Sequence, residues 1–301
     1  MKLDTAFFDK LSRLRLSMGQ RTSMNLTGNR KSMQKGTSME FSDFREYMTG
    51  DDIRRIDWNA YGRLDRLYVK EYMEEKEAVV SILLDTSASM DYGAKKKSEL
   101  ACTLAAALAY LGLNNMDRVL VYDMKNMQQP FAAGGGKRAL PRLVEWLSQC
   151  TFDGTTDISA AVRQLPAKGT GITMIISDFL QEEFVQDDAE AAASAVTKLL
   201  RFLAYRRQKS VLLHTLAGEE LSVNMVGNLI GTKNFIDMED ESTLRLTVDA
   251  ASIRVYEKAL GEFLGQIERA CAKNGAFYAV CSTEQDIYQL IFQDLRMLYD
   301  G

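Results

Sequence analysis

Oxygen-bearing side chains follow a continuous apolar run that begins at residue 78. The run covers residues 78–84 and ends at Asp85, and Ser87 and Ser89 come next at alternate positions. A carboxylate and two hydroxyls are hard oxygen ligands, which suit Mg²⁺ in an octahedral site that retains water. Ligands of open α/β sheets bind beyond the carboxyl ends of the strands, which is where these three side chains would lie. The pattern therefore predicts a divalent-cation site that begins at Asp85.

Two later positions offer further oxygens at the same predicted sheet edge. Thr156 precedes a predicted helix, and Asp178 follows an apolar run at residues 172–176. We expect Thr156 and Asp178 to complete the cation site, with Asp178 acting through a water molecule. Thr155 is an alternative to Thr156 as the ligand. The competing interpretation is that these are polar loop and capping residues that bind no metal.

The single histidine and the four cysteines exclude several other kinds of chemistry. His214 lies in an apolar run, residues 210–216, that predicts a buried strand, so we expect a structural histidine rather than a catalytic base. The cysteines are scattered and form no C-x-x-C pair, which argues against a His/Cys zinc site and for reduced thiols. The longest apolar stretch, residues 101–113, is too short to cross a bilayer. The N-terminal region also lacks a signal-peptide pattern, so we expect a cytoplasmic protein.

Strands and helices alternate along most of the 301 residues. Continuous apolar runs predict strands at residues 78–84, 118–122, 172–176, 210–216 and 276–281. Helical patterns predict helices at residues 3–16, 99–113, 140–149, 157–165, 189–207, 253–273 and 284–298. This order predicts an α/β domain over residues 78–301, with a mostly parallel sheet flanked by helices. Short β-like pieces predict an inserted β-hairpin at about residues 221–248, and residues 1–77 would form an N-terminal extension.

The segment from residue 10 to residue 39 contains seven basic residues and no acidic one. The whole chain has a net charge of −4, so this positive charge is local. A solvated basic loop is one interpretation, and a docking site for an acidic protein or an anionic polymer is the other. The segment contains no aromatic residue that could stack on bases, which makes nucleic acid a poor candidate ligand.

A second segment before the predicted sheet combines paired charges with a tryptophan. Its six candidate partner-binding residues are Arg45, Asp51, Asp52, Arg54, Asp57 and Trp58. Aspartates in turns hydrogen-bond the backbone ahead of them, arginines pair with aspartates, and a tryptophan can anchor a segment by burial. One interpretation is therefore a structural clasp of ion pairs around Trp58. The other interpretation is a surface on which a partner protein docks.

The order of the oxygen-bearing residues resembles the metal-ion-dependent adhesion site of von Willebrand factor A domains. That site combines a D-x-S-x-S run, here residues 85–89, with a later threonine and a later aspartate. The resemblance implies that Ser87 and Ser89 contact Mg²⁺ or Mn²⁺ directly, and that Thr156 does so directly or through water. It also implies that Asp85 and Asp178 support the metal through water. A sixth position would stay open for an Asp or Glu of a partner, so the metal would bind rather than catalyse.

The run R-E-Y-x-x-G-D-D-x-R-x-I-D-W at residues 45–58 makes the resemblance more specific. Together with L-x-V-K-E-Y-x-E-E at residues 67–75, it resembles a bacterial von Willebrand A-like family of undefined function, domain of unknown function 58. Members of that family tend to be encoded beside MoxR-type AAA+ ATPases, and many carry N-terminal membrane helices, whereas we expect none in this sequence. The resemblance implies a von Willebrand A-like, Rossmann-type sheet. It also implies a non-enzymatic, Mg²⁺-dependent adaptor that assists the ATPase or its client in complex assembly or cofactor insertion.

Two other functions compete with the adaptor. A Mg²⁺-dependent phosphoryl hydrolase would use Asp85 as its nucleophile, because an aspartate after a buried strand is suitably placed. Haloacid dehalogenase-type phosphatases carry a second aspartate two residues later, whereas this sequence has Ser87. An anionic-polymer binder would use residues 10–39 instead.

Overall fold

The computed structural model describes residues 5–16, 39–74, 79–166, 171–185, 189–222, 230–238 and 242–300. The chain separates into two compact units, one of residues 1–19 with 78–301 and one of residues 20–77. Residues 1–19 thus group with the sheet, whereas the sequence predicted one extension over residues 1–77. Most of the basic segment predicted at residues 10–39 lies outside the described residues.

Strands and helices alternate in the described residues, as the apolar runs predict. The strands are β1 (Arg15–Leu16), β2 (Met39–Glu46), β3 (Tyr68–Glu74), β4 (Val79–Leu84), β5 (Arg118–Asp123), β6 (Asn126–Ala133), β7 (Gly171–Ser177), β8 (Gln208–Leu216), β9 (Gly231–Ile236), β10 (Thr243–Val248), β11 (Phe277–Ser282) and β12 (Tyr299–Asp300). The α-helices are α1 (Thr5–Leu11), α2 (Trp58–Leu64), α3 (Lys97–Asn114), α4 (Leu140–Ser148), α5 (Ile158–Gln164), α6 (Ala189–Tyr205), α7 (Gly218–Leu221), α8 (Ala250–Lys273) and α9 (Ile287–Gln289). Short 3₁₀ or π turns cover Ile53–Arg55, Ala88–Asp91, Lys137–Ala139, Leu290–Asp294 and Arg296–Leu298.

A six-stranded sheet in the order β11-β8-β7-β4-β5-β6 forms the centre of the larger unit. The pairs among the first five of these strands are parallel, and β6 runs antiparallel to β5 at the edge. All of β7 is buried, and β4 is buried beyond its first residue. Strands covered on both faces must be apolar on both faces, which explains their continuous apolar runs. The sheet confirms the predicted α/β class and is consistent with a Rossmann-like or von Willebrand A-like fold.

Helices cover both faces of this sheet. On one face, α1, α3 and α4 pack with the C-terminal turns against apolar side chains of the sheet. On the other face, α5, α6 and α8 pack against the alternate side chains of the same strands. The rings of Phe7 and Tyr288 meet edge to face at 5.1 Å, so α1 docks on the larger unit. No described helix combines the length and the apolar composition that a membrane-spanning helix needs.

Gly112 lies where α3 packs tightly against strands β4 and β5 of the sheet. A Cβ atom at this position would lie 2.8 Å from Val119 Cγ2 and 3.2 Å from Val80 Cγ2, whereas one at Gly261 of α8 would meet nothing within 4 Å. We expect Gly112→Ala to lower the free energy of unfolding by about 1–3 kcal/mol, because the β-branched valines cannot give way. Gly261→Ala should raise the free energy by about 0.5–1 kcal/mol, because alanine favours a helix interior. Urea unfolding of both variants checks the pair, and equal effects would contradict it.

Three elements differ from the sequence prediction. The predicted N-terminal helix stops at Leu11, because Arg15 and Leu16 pair with β12 instead. The predicted helix at residues 284–298 is a series of short helical turns. The edge strand β6 was not predicted, and its middle contains Pro130, which an edge strand tolerates. The predicted hairpin is present as β9 and β10, which pair antiparallel from Gly231 and Val248 onward.

All four cysteines are free. Cys271 and Cys281 are buried, and Cys102 and Cys150 are partly buried. Burial raises the pKa of Cys102, Cys271 and Cys281 to about 12 and that of Cys150 to about 11. The reactive thiolate form is therefore scarce at every cysteine near neutral pH.

Candidate functional site

The predicted cation ligands lie where the strand order of the sheet reverses. The chain continues from the central strand β4 to β5 on one side, and it returns later as β7 on the other side. Asp85 follows β4, and Asp178 follows β7. The backbone N–H of Asp85 donates to the carbonyl of Ile176 at 3.0 Å, so both loops leave the same edge. Ligands of open α/β sheets bind at such a crevice.

The Asp85 carboxylate holds three segments together. Its Oδ1 accepts hydrogen bonds from the Ser87 N–H at 3.0 Å and from the Thr156 hydroxyl at 2.8 Å. Its Oδ2 accepts a hydrogen bond from the Ser177 hydroxyl at 2.5 Å. Asp85 is almost completely buried, and all three donors are uncharged groups. Asp85 is therefore the hub of the loops after β4, before α5 and after β7.

The two serines of the D-x-S-x-S run present their hydroxyls side by side. Ser87 Oγ and Ser89 Oγ are 3.1 Å apart, at the start of the 3₁₀ turn Ala88–Asp91. The Ala88 N–H donates to the Gly154 carbonyl at 2.9 Å, which ties this turn to the loop before α5. The Ser89 hydroxyl also hydrogen-bonds Asp178. The backbone thus fixes both hydroxyls beside the two carboxylates.

Thr156, rather than Thr155, belongs to this cluster. The Thr156 hydroxyl donates to Asp85 and accepts a hydrogen bond from Gln181 Nε2 at 3.1 Å. Thr155 is exposed. The structure therefore brings Asp85, Ser87, Ser89, Thr156 and Asp178 together, which is the set that the sequence predicts.

A buried lysine that sequence reasoning missed completes the cluster. Lys97 Nζ lies 2.7 Å from Asp178 Oδ2 and 2.8 Å from Glu220 Oε1. The side chains of Lys97 and Asp178 are only 1% and 2% exposed. One signal in the sequence could have found it, because Lys97 shares a helical face with the buried Ala101 and Leu104 of α3.

The two carboxylates have pKa values that move in opposite directions. Burial, and then the charge of Asp178, raise the pKa of Asp85, although hydrogen bonds from Ser177 and Ser87 oppose this rise. Burial also acts to raise the pKa of Asp178, but the charge and the hydrogen bond of Lys97 outweigh it, so that pKa is lowered. Asp178 is therefore held ionised by its lysine, while Asp85 is a carboxylate whose charge is disfavoured.

The chemistry of the donors fits a small hard cation. Mg²⁺ binds oxygens at 2.0–2.1 Å, so neighbouring octahedral ligands lie about 2.9 Å apart, close to the 3.1 Å between the two serine oxygens. In the part of the chain that the structure describes, no group of three or more His, Cys, Asp or Glu side chains is arranged for a metal. A cation here would depend on hydroxyls and water as much as on carboxylates. Ser87, Ser89 and Thr156 would be its ligands, with Asp85 and Asp178 behind them.

Four of the six candidate partner-binding residues have structural partners within the smaller unit. Arg45 forms two hydrogen bonds of 2.7 Å with Asp51, and these lower the pKa of Asp51 to about 2. Asp52 caps the 3₁₀ turn Ile53–Arg55 by accepting from the Arg54 N–H at 3.0 Å. Asp57 caps α2 by accepting from two backbone N–H groups at 2.8 and 3.1 Å. Of the clasp of ion pairs around Trp58 that the sequence suggested, these contacts provide one ion pair, Arg45–Asp51, and two backbone caps.

The side chains of the other two candidates face solvent. Trp58 is 64% exposed, and its ring meets that of Tyr61 edge to face at 6.2 Å. This exposure differs from the anchoring role expected of Trp58. Arg54 is exposed as well.

His214 is the buried structural histidine that the sequence predicts. Its Nδ1 lies 2.9 Å from the Tyr278 hydroxyl, and burial lowers the pKa of the imidazole to about 4. A neutral ring at that position packs between Phe179 and Phe263.

Comparisons with known proteins assign the chain to a family but not to an activity. Three curated proteins, one from Mycobacterium bovis and two from strains of Mycobacterium tuberculosis, are each 28% identical over 178 residues, and all are described as uncharacterized. The match covers 56% of this chain and 56% of each relative, so the chain spans little more than half of their length. Residues 43–261 match the family described as "Protein of unknown function DUF58". That range includes all five residues of the candidate cation site, and the chain belongs to this family.

Proposed function

We propose that this protein is a non-enzymatic protein-interaction module that uses a divalent cation to bind an acidic residue of a partner. The observation that carries the proposal is the convergence of three hydroxyls and two buried carboxylates where the strand order reverses. Ser87, Ser89 and Thr156 would hold Mg²⁺ or Mn²⁺ directly, and Asp85 and Asp178 would support it. The bound cation would supply a Lewis-acidic position for an incoming carboxylate.

The charges of the cluster favour binding over catalysis. Asp178 is paired with Lys97 at 2.7 Å, and Asp85 uses its oxygens to accept from three uncharged donors. A dication beside these groups would keep part of its positive charge. An exposed Asp or Glu of a partner would neutralise that charge and complete the coordination, as the resemblance to adhesion sites implies.

The proposed partner is a MoxR-type AAA+ ATPase or the client of that ATPase, in the cytoplasm. The support is the run at residues 45–58 and its resemblance to a family encoded beside such ATPases. An adaptor of this kind would hold a client during complex assembly or cofactor insertion. Residues 45–58 offer a second surface for the same partner through the exposed Arg54 and Trp58.

The structure adds one cationic group that a phosphoryl hydrolase could use, but it argues against Asp85 as the nucleophile. Lys97 provides a cation beside Asp178 in the same cluster, but two carboxylates bind it and it is 1% exposed. Asp85 would need a free oxygen as a nucleophile, whereas both of its oxygens accept hydrogen bonds. We therefore expect no Mg²⁺-dependent turnover of p-nitrophenyl phosphate.

The test compares adjacent threonines. The purified protein is immobilised, and a MoxR-type ATPase from the same genome is bound in Mg²⁺ and in EDTA. We expect binding in Mg²⁺ only, a loss of about tenfold or more in affinity for Thr156→Ala, and no change for Thr155→Ala. Equal binding in Mg²⁺ and EDTA would overturn the proposal that the metal binds the partner, and residues 39–74 would then be the next interface to test.

A further inference from the structure

Lys97 is an unusual neighbour for a cation site. Its ammonium group lies 2.7 Å from Asp178 Oδ2 and 2.8 Å from Glu220 Oε1, and it is 1% exposed. A buried positive charge beside Asp178, a carboxylate that would support the metal from behind its ligands, repels an incoming cation. We propose that Lys97 is a tethered counter-cation, which neutralises Asp178 and keeps the affinity of the site for a free divalent cation low. This inference rests on the proposed function and concerns the same site.

Both carboxylates of the site are already committed to donors of the protein. Asp178 Oδ1 accepts from the Leu180 N–H at 3.1 Å, while its Oδ2 is bound by Lys97. Asp85 accepts hydrogen bonds from the Ser87 N–H and from the hydroxyls of Thr156 and Ser177. A free cation would therefore gain little from either carboxylate, and the serine hydroxyls alone are weak ligands.

Lys97 is held at this place by more than Asp178. Its second partner, Glu220, also accepts from the Ala217 N–H at 2.7 Å at the start of α7. The two preceding lysines differ, because Lys95 and Lys96 form exposed ion pairs with Glu284 and Asp91. Burial is therefore particular to position 97 and does not extend along the lysine run. The exposed Lys96 offers a matched control.

The consequence is coupled binding of metal and partner. Because Lys97 opposes the binding of a free cation, a carboxylate from the partner supplies the negative charge that stabilises the bound cation. By linkage, the cation then raises the affinity for the partner by the same factor. The site would bind a free cation only weakly until the partner arrives.

The test uses the metal alone and no partner. Binding of Mn²⁺ is followed by the electron paramagnetic resonance signal of the free ion, for the wild type, Lys97→Met, Lys97→Gln and Lys96→Met. We expect the two Lys97 variants to bind Mn²⁺ at least about tenfold more tightly, because a nearby positive charge has been removed. Lys96→Met should match the wild type. Adding Asp85→Asn to Lys97→Met should abolish the gain, which assigns the metal to this site.

Thermal unfolding provides a second measurement. Lys97→Met leaves the buried Asp178 and the partly buried Glu220 without their cation, so we expect a lower melting temperature in EDTA that Mn²⁺ partly restores. Lys97→Gln keeps a hydrogen-bond donor for Asp178 and should fold more readily. Unchanged or weaker Mn²⁺ binding in both variants would overturn the inference, and so would failure of both to fold even with Mn²⁺. The adaptor proposal fails separately, if partner binding is equal in Mg²⁺ and EDTA.

Discussion

Replacing Asp178 by asparagine should lower the free energy of unfolding by about 3–5 kcal/mol. The substitution keeps the shape of the side chain but removes the charge that Lys97 meets at 2.7 Å, in a pair whose side chains are almost fully buried. Glu220 would remain as a partner, but it cannot replace the second negative charge. Chemical denaturation measures the effect. Asp91→Asn is the control, because Asp91 pairs with Lys96 at the surface and should cost less than about 1 kcal/mol.

The effect of Asp178→Asn should depend on pH in a defined direction. The folded protein has a lowered pKa for Asp178, so the ionised carboxylate stabilises the fold above its ordinary pKa of 3.8. That contribution is lost as the pH falls through the lowered value of the folded state. The difference between wild type and variant should therefore be largest near neutral pH and shrink on acidification. A difference that does not change with pH would contradict an electrostatic origin.

Asp85→Asn should have the opposite effect on stability while it removes the response to metal. Burial and Asp178 raise the pKa of Asp85, so its charge opposes folding at neutral pH. In EDTA we expect the variant to gain about 0.5–2 kcal/mol, as happens when a functional residue is held in an unfavourable environment. Excess Mg²⁺ should raise the melting temperature of the wild type and leave that of the variant unchanged.

Two observations would contradict this second prediction. A loss of several kcal/mol in EDTA would mean that the ionised carboxylate is a structural hub for Ser87, Thr156 and Ser177. An equal response of both proteins to Mg²⁺ would place the responding site elsewhere. The expected gain should also disappear below pH 3.8, where Asp85 of the wild type is neutral in the folded and the unfolded chain.

The sheet could be predicted from the strand pattern, and the clustered oxygens from that pattern together with a family resemblance. Parallel strands covered on two faces need continuous apolar runs, and the carboxyl ends of such strands meet at one edge. The strand pattern therefore places the residues after β4 and β7 at the same edge. That Asp85, Thr156 and Asp178 converge there is what the resemblance to adhesion sites implied, and the adjacency of β4 and β7 in the structure brings them together.

Lys97 could not be found in the same way. A lysine at the start of a helix and within a run of three lysines is typical of a solvated surface. The one sign of burial is that Lys97 lies on the same face of α3 as the buried Ala101 and Leu104. That sign is visible only if the helix is known to begin at Lys97, whereas the sequence predicted a start at residue 99. The exposure of Trp58 could not be predicted either. A large aromatic side chain is expected to be buried, and only the tertiary packing decides whether it is.

The buried thiols of the larger unit can report the local opening of the elements that contain them. An alkylating reagent can attack the buried Cys271 only when α8 loosens, and the buried Cys281 only when β11 does, and burial also keeps both pKa values at about 12. Labelling rates under native conditions would thus give an opening free energy for each element.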